Sequence, residues 1–201
     1  MKILKHRGVA IAIAVVVMIV MLVVGVNRTA ARMTRDIEGL LHEGMMNDQG
    51  FREPSIMSQL DRIADVALNM ASMLRDYPEL EQEVEHVLAN RRYFLIMAQG
   101  EMQGMAHASL FLQESIHVLV VNALNTDLVD RDMEAVRQYW QTFIGASRLV
   151  NNSLIPMYNE AVREFYDGRS VIAALLNTVP NNRPFELWPY FSVDAINVVF
   201  P

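Results

Sequence analysis

Cysteine is absent from this 201-residue chain, and lysine is absent after Lys5. The lack of cysteine excludes both disulfide bonds and thiolate metal ligands. The lack of lysine leaves arginine to carry the positive charge after Val26, where fourteen arginines oppose twenty-three acidic residues. An acidic domain without a basic stripe argues against nucleic-acid binding.

Motifs for nucleophilic catalysis and for phosphate binding are also missing. No serine lies in a strand–turn–helix pattern of the kind that exposes a catalytic nucleophile. Gly100 and Gly104 lie among helix-forming residues, not in a glycine-rich phosphate loop. His107 is interpreted as a core or boundary histidine. The sequence therefore predicts no catalytic residues and no cofactor.

The longest apolar run, VAIAIAVVVMIVMLVVGV, occupies residues 9–26 and contains no charged residue. As a helix it would be about 27 Å long, close to the hydrocarbon thickness of a bilayer. A secretory signal has a shorter apolar core followed by a small-residue cleavage site. The sequence Thr29-Ala30-Ala31 fits such a site poorly. Residues 1–8 are thus a basic flank, and 9–26 are predicted to be an uncleaved transmembrane anchor in contact with lipid.

Basic residues flank this predicted anchor on both sides, so its orientation stays open. Three precede it and three follow it closely: Lys2, Lys5, Arg7, Arg28, Arg32 and Arg35. The positive-inside rule, with the amino terminus counted, leans toward a cytoplasmic N-terminus.

Residues 27–176 show helical periodicity and no alternating strand pattern. The sequence therefore predicts an all-α fold, in which a transmembrane helix precedes an antiparallel bundle of three or four long helices. Three apolar stripes support the bundle. They are Met33, Ile37, Leu40 and Leu41; then Ile56, Leu60, Ile63, Ala67, Met70, Leu74, Leu80, Val84, Val87 and Phe94; then Leu112, Ile116, Leu119 and Ala123, widened by Val118, Val120 and Val121.

The last long helix is predicted to follow a heptad spacing. Its stripe is Met133, Val136, Trp140, Phe143, Ser147, Val150, Leu154, Met157, Ala161 and Phe165. Pro156 is expected to kink this helix because a proline ring removes a backbone donor. Gly168 is expected to end it in a left-handed conformation, with Ser170 capping a short helix at 171–176.

Residues 177–201 form an irregular tail that is rich in proline and aromatic residues. Phe185, Trp188, Tyr190 and Phe191 are its apolar landmarks. Two interpretations stay open: the tail covers an open face of the bundle, or it docks on a partner or at the bilayer interface, where Trp and Tyr sit well.

Residues 157–188, MYNEAVREFYDGRSVIAALLNTVPNNRPFELW, resemble the end of the LemA family. That family closes its last long helix with Tyr-Asn-x-x-Val-x-x-(Tyr/Phe), followed by a short apolar segment and an aromatic stretch. The matching positions here are Tyr158, Asn159, Val162 and Phe165, with Pro184, Phe185 and Glu186 in the later stretch.

Residues 69–92 resemble the second helix of the same family, whereas 154–156 and 67–70 depart from its usual pattern. The resemblance implies a divergent, single-pass protein of the bacterial inner membrane with an antiparallel helical bundle and no accepted catalytic activity. Family genes often lie beside those of membrane-associated proteases, which implies a protein partner in such a system.

Two Glu-x-x-His motifs, Glu83/His86 and Glu114/His117, match the pattern of carboxylate-bridged di-iron bundles. The additional carboxylates would come from Glu38, Glu43, Glu134 or Glu160. Helical angles oppose this interpretation, because Glu83 and His86 lie off the apolar stripe of their helix and Glu114 lies nearly opposite its own stripe.

Three hypotheses follow from the sequence. The preferred one is a non-enzymatic interaction or scaffold module of the cell envelope. The alternatives are a metal-binding bundle that uses the paired Glu-x-x-His motifs, and an extracytoplasmic bundle that binds a ligand.

Overall fold

The structure is a computed structural model that describes residues 2–44, 50–176 and 185–189. Every regular element in these ranges is helical, which confirms the all-α prediction and agrees with a helical bundle. The helices are α1 (Lys2–Glu38), α2 (Ile56–Leu74), α3 (Glu81–Met97), α4 (Met102–Ala123), α5 (Asp130–Leu149) and α6 (Ile155–Leu176). A 3₁₀ turn (Pro78–Leu80) precedes α3, and π-helical turns follow α1 (Gly39–Glu43) and α5 (Val150–Leu154). Tyr190 and Phe191 lie outside the described residues.

Helices α2, α3, α4 and α5 form a four-helix unit, which we call the body. Its helices pack α2 against α3 and α5, and α3 against α4. Arg91 of α3 donates to the Ala64 carbonyl of α2 at 2.8 Å, and Asn90 donates to the Phe111 carbonyl of α4 at 3.4 Å. These contacts join the middle of α3 to the middle of each neighbour.

The apolar stripe predicted for α2 and α3 is confirmed, because every member from Ile56 to Phe94 is buried. The stripe on α4 is confirmed at Leu112, Ile116, Leu119 and Ala123, and Val120 is buried beside it. The predicted widening is wrong at Val118 and Val121, which are exposed. His107 is also exposed, so it is not a core residue.

A turn at residues 98–101 separates α3 from α4 and contains Gly100, although the residues around it favour helix. The Gly100 N–H donates to the Met97 carbonyl at 2.9 Å within this turn. Glycine costs a helix about 1 kcal/mol relative to alanine. A chain reversal that packs α3 on α4 outweighs the local preference for continuing the helix.

The heptad pattern of the last long helix is confirmed from Val136 to Leu154 and again at Phe165, and it is wrong at Met157. Tyr158 and Val162 are fully buried, whereas Met157 is 47% exposed. The π-helical turn at Val150–Leu154 accommodates one extra residue, and after it Tyr158 and Val162 take buried positions. This turn lies directly before Pro156, whose ring lacks the backbone donor that a regular helix uses. The kink expected at Pro156 stays a prediction.

Gly168 does not end α6, and no separate helix begins at Ser170, because α6 continues to Leu176. The glycines with positive φ among the described residues are Gly44 (+78°) and Gly50 (+79°). At Gly44, a Cβ atom would collide with the Glu53 carbonyl oxygen, so both the conformation and the space require glycine.

Helix α1 joins the amino-terminal apolar run to the bundle without interruption. Ile37, Leu40 and Leu41 are buried at its end, where α1 packs on α6 and the π-helical turn packs on α2. Toward the other end, Ile11, Met18 and Met21 are 65%, 67% and 71% exposed. Judged on the described residues, no helix combines the length and the apolar character needed to cross a membrane.

Candidate functional site

The two Glu-x-x-His motifs lie on neighbouring helices, but their side chains point to three different places. His86 and Glu114 line a small cavity of about 130 Å³ between α3 and α4. The Glu83 carboxylate instead accepts a hydrogen bond from the Asn122 amide at 2.5 Å. The His117 ring lies 6.0 Å from the Trp140 ring of α5, measured between centroids. The four residues therefore share no single coordination centre.

The four additional carboxylates proposed for a di-iron site are also dispersed. Glu134 pairs with Arg137 at 3.1 Å and Glu160 with Arg163 at 3.5 Å, whereas Glu38 and Glu43 line a different cavity. The described residues contain no cluster of three or more side chains able to hold a metal ion.

The surroundings of His117 shift its titration. Burial lowers the pKa of His117 below its usual 6.5, and the nearby Glu114 carboxylate opposes this shift. Burial disfavours the charged imidazolium, so the ring beside Trp140 is neutral at pH 7. A neutral ring packed on an aromatic neighbour has a structural role in this position.

A polar contact joins the turn after α2 to the start of α5. The Tyr77 hydroxyl donates to the Asp132 carboxylate at 2.8 Å and accepts from the Val129 N–H at 3.3 Å. The hydrogen bonds from Tyr77 and Arg131 lower the pKa of Asp132, and the bond to Asp132 raises the pKa of Tyr77. The contact closes one end of the body.

The most organised polar site lies on α6, on the residues that resemble the LemA signature. Tyr158, Asn159, Val162 and Phe165 are all buried. Tyr158 and Asn159 reach an extended segment at residues 185–189, which lies against α6. We call the α6 surface formed by Tyr158, Asn159, Phe165 and Tyr166 the docking face, and residues 185–189 the docked segment.

Asn159 binds the main chain of the docked segment with both ends of its amide. Its Nδ2 donates to the Trp188 carbonyl at 2.9 Å, and its Oδ1 accepts from the Trp188 N–H at 2.7 Å. The Asn159 side chain is fully buried. It therefore satisfies a main-chain donor and acceptor as a neighbouring β-strand would.

Two tyrosines of α6 also bind the main chain of the docked segment. The Tyr166 hydroxyl donates to the Phe185 carbonyl at 2.7 Å and accepts from the Phe185 N–H at 3.2 Å. The Tyr158 hydroxyl donates to the Glu186 carbonyl at 3.1 Å. Burial raises the pKa of Tyr158, so this hydroxyl remains protonated at physiological pH and remains a donor.

Two aromatic side chains of the docked segment face the bundle. Trp188 is only 2% exposed, and the Phe185 ring meets the Phe165 ring edge-to-face at 5.5 Å. Glu186 and Leu187, between them, are exposed. The docking face thus contacts the main chain and the two aromatic rings, while the intervening side chains face solvent.

Of the tail residues singled out by sequence, Phe185 and Trp188 pack on this chain's own bundle. These two residues therefore agree with the first of the two interpretations, in which the tail covers a face of the bundle. Tyr166 was not anticipated, and its only sequence signal is its place directly after the signature residue Phe165. Its partner lies nineteen residues away, and no local pattern predicts such a contact.

An acidic cleft adjoins the docked segment. It has a volume of about 650 Å³, and Phe185 and Glu186 form part of its wall. The remaining wall comes from the end of α1, its π-helical turn and the start of α4. These residues are Glu38, Leu41, His42, Glu43, Glu101 and Met102. Four carboxylates around one open volume give it a negative potential.

Comparisons of this chain with protein-family models, with curated proteins and with solved structures found no match.

Proposed function

We propose that this protein is a membrane-anchored, non-enzymatic helical module that binds a partner protein close to a bilayer. The observation that carries the proposal is the exposed apolar surface of α1, which continues into a bundle with a buried core. Its exposed side chains include Ile11, Met18 and Met21. Apolar surface on one helix alone is costly in water and favourable in lipid.

The apolar run itself supports the anchor. Residues 9–26 contain eighteen successive residues without a charge. The structure describes the side chains of thirteen of these residues, and it does not describe those of residues 9, 10, 12, 23 and 26. With the whole run counted, the length suits a transmembrane helix.

The organisation of the bundle supports binding rather than catalysis. The docking face recognises a polypeptide main chain. Of the titratable groups with shifted pKa values, Tyr77 and Asp132 bind each other, whereas Asp61, His117 and Tyr158 lie on three different helices, α2, α4 and α6. Active sites usually gather such groups in one cleft. The resemblance to the LemA family points the same way and favours the bacterial inner membrane and a protease-associated partner.

The anchor is tested by placing charge within the apolar run of the full-length chain. An arginine at the centre of a membrane helix costs about 2.5 to 3.5 kcal/mol on insertion scales. We expect the double variant Val17→Arg/Val20→Arg to move from the membrane pellet to the high-speed supernatant, while the unaltered chain stays in the pellet until detergent is added.

The matched control is Val17→Leu/Val20→Leu, which keeps the run apolar and should remain in the pellet. Recovery of the unaltered chain in a detergent-free supernatant would overturn the anchor. Protease treatment of spheroplasts then determines the orientation: cleavage of the bundle places it outside the cytoplasmic membrane, and protection places it inside.

A further inference from the structure

The docking face recognises features that any extended peptide with suitable aromatic spacing possesses. Five of its hydrogen bonds go to main-chain atoms of Phe185, Glu186 and Trp188. Main-chain bonds contribute affinity without requiring a particular sequence, and side-chain pockets provide the selectivity. The two pockets here hold a phenylalanine and, three residues later, a tryptophan.

The docked segment leaves part of the neighbouring surface unfilled. The acidic cleft continues from Phe185 and Glu186, and the residues that the structure describes leave it open. Because Glu38, Glu43 and Glu101 line it, a peptide that carried a basic residue on the amino-terminal side of its aromatic residue would gain favourable electrostatic contact. The chain's own sequence has this order, with Arg183 two residues before Phe185.

We propose that the docking face and the acidic cleft together form a peptide-binding site for a partner protein. The occupant is an extended segment of the form basic-x-aromatic-x-x-Trp, and the docked segment of this chain occupies the site until such a partner displaces it. This inference rests on the proposed role as an interaction module and adds the chemistry of the partner.

A partner peptide could displace the docked segment because the segment is short and only a few of its residues contact the bundle. Trp188 and Phe185 supply its apolar burial, while Glu186 and Leu187 contribute exposed side chains. A competing peptide would re-form the same five hydrogen bonds, so the docking face would lose none of its partners in the exchange.

The first test uses the unaltered full-length chain in detergent micelles and a synthetic peptide with the sequence RPFELWP. Hydrogen exchange followed by mass spectrometry reports the Trp188 N–H, which Asn159 protects in the structure. We expect saturating peptide to speed exchange in residues 185–189 by at least threefold and to leave α2 and α3 unchanged.

Two altered peptides control this experiment. RPFELAP lacks the tryptophan and should produce no change. EPFELWP reverses the charge that faces the acidic cleft and should bind at least threefold more weakly, with the difference reduced at high salt. Equal effects of all three peptides would overturn the proposed recognition.

The second test measures the affinity directly by fluorescence anisotropy of labelled RPFELWP. The Trp188→Ala chain, whose own segment competes poorly, should bind the peptide at least tenfold more tightly than the unaltered chain. Adding Asn159→Leu should remove at least tenfold of that affinity. Helical circular dichroism identifies variants that fail to fold, and the exchange experiment on the unaltered chain does not depend on them.

Absence of displacement at millimolar peptide would overturn the inference, and so would exchange of the docked segment between copies of this chain without any peptide binding. Neither result would affect the membrane fractionation above, so the proposed anchor and the proposed peptide site fail independently.

Discussion

The body and the docking face are held together by different kinds of contact. In the body, apolar side chains from four helices interdigitate, and Ile63, Leu112, Ile116 and Phe143 are almost fully buried. At the docking face, three polar side chains of α6 bind the main chain of an extended segment. Apolar packing is distributed over many residues, whereas the docked segment depends on a few. The two regions should therefore open separately, the docking face at lower cost.

The border between the two regions is the π-helical turn, and deletions there should give the largest contrast. Removing Gln138 from the regular helix α5 turns all later side chains by about 100° and should abolish folding. Removing Asn152 from the π-helical turn restores an ordinary helix and keeps both faces in place.

We expect the Asn152 deletion, made in a Pro156→Ala background, to cost less than about 1 kcal/mol in the free energy of unfolding, since Pro156 would otherwise meet a regular helical turn. Urea denaturation followed by circular dichroism measures both deletions. Similar losses from the two deletions would show that the turn does not separate the faces.

A cavity in the body should destabilise the whole molecule. Phe143 is 2% exposed and lies 5.2 Å from the Trp140 ring, so Phe143→Ala should lower the free energy of unfolding by about 3 to 5 kcal/mol. Phe111 is 47% exposed, and Phe111→Ala should change the free energy of unfolding by about 0.5 kcal/mol or less. Thermal unfolding of both variants provides the comparison, and equal losses would contradict the described core.

A substitution at the docking face should act locally. Asn159→Leu leaves the Trp188 N–H and carbonyl without partners, and each buried unsatisfied group costs about 1 to 3 kcal/mol. We expect the opening free energy of residues 185–189 to fall by about 2 kcal/mol while that of α2 is unchanged, as measured by hydrogen exchange. Asn69→Leu, at an exposed position of α2, is the matched control. An equal loss of protection in α2 would show that the two regions unfold as one cooperative unit.

The smallest effect concerns pH and belongs to the polar contact that closes the body. Hydrogen bonds from Tyr77 and Arg131 lower the pKa of Asp132 below 3.8 in the folded chain. The resulting stability is present above pH 3.8 and is lost as the pH falls through the folded pKa. We therefore expect Asp132→Asn to flatten the decline of unfolding free energy below about pH 4, as followed by urea titration.

Asp61 provides a control of opposite sign. Burial and the Asp65 charge raise its pKa above 3.8, so its protonation on acidification favours the folded state. Asp61→Asn should therefore remove a gain in unfolding free energy that the unaltered chain makes as the pH falls toward 3.8 from above. The same pH dependence in both chains would contradict the raised pKa.

The sequence predicts the body well and the docking face only in part. The stripe from Ile56 to Leu74 follows from helical periodicity, because each member packs toward the same side. Beyond Leu154 the same rule selects Met157, which is exposed, whereas the structure buries Tyr158 and Val162. A π-helical turn changes the period for one turn only, and no residue type marks its place unambiguously.

The docking face shows a different limit of sequence reasoning. Tyr158 and Asn159 attract attention through a family signature, but their roles depend on Glu186 and Trp188, which are 28 and 29 residues away. Such long-range contacts arise from tertiary packing and leave no periodic trace. The turn at residues 98–101 has a related origin, since packing between α3 and α4 decides where the chain reverses.

The unbroken course of α1 has a mechanical consequence if residues 9–26 lie in lipid as proposed. At 1.5 Å per residue, its 37 residues form one continuous, stiff helix of about 55 Å, here called the lever. Membrane helices tilt by about 20° on average, and such a tilt would swing the far end of the lever sideways by about 19 Å. Bilayer thickness, which governs tilt, would then set how far the acidic cleft and its peptide stand from the membrane surface.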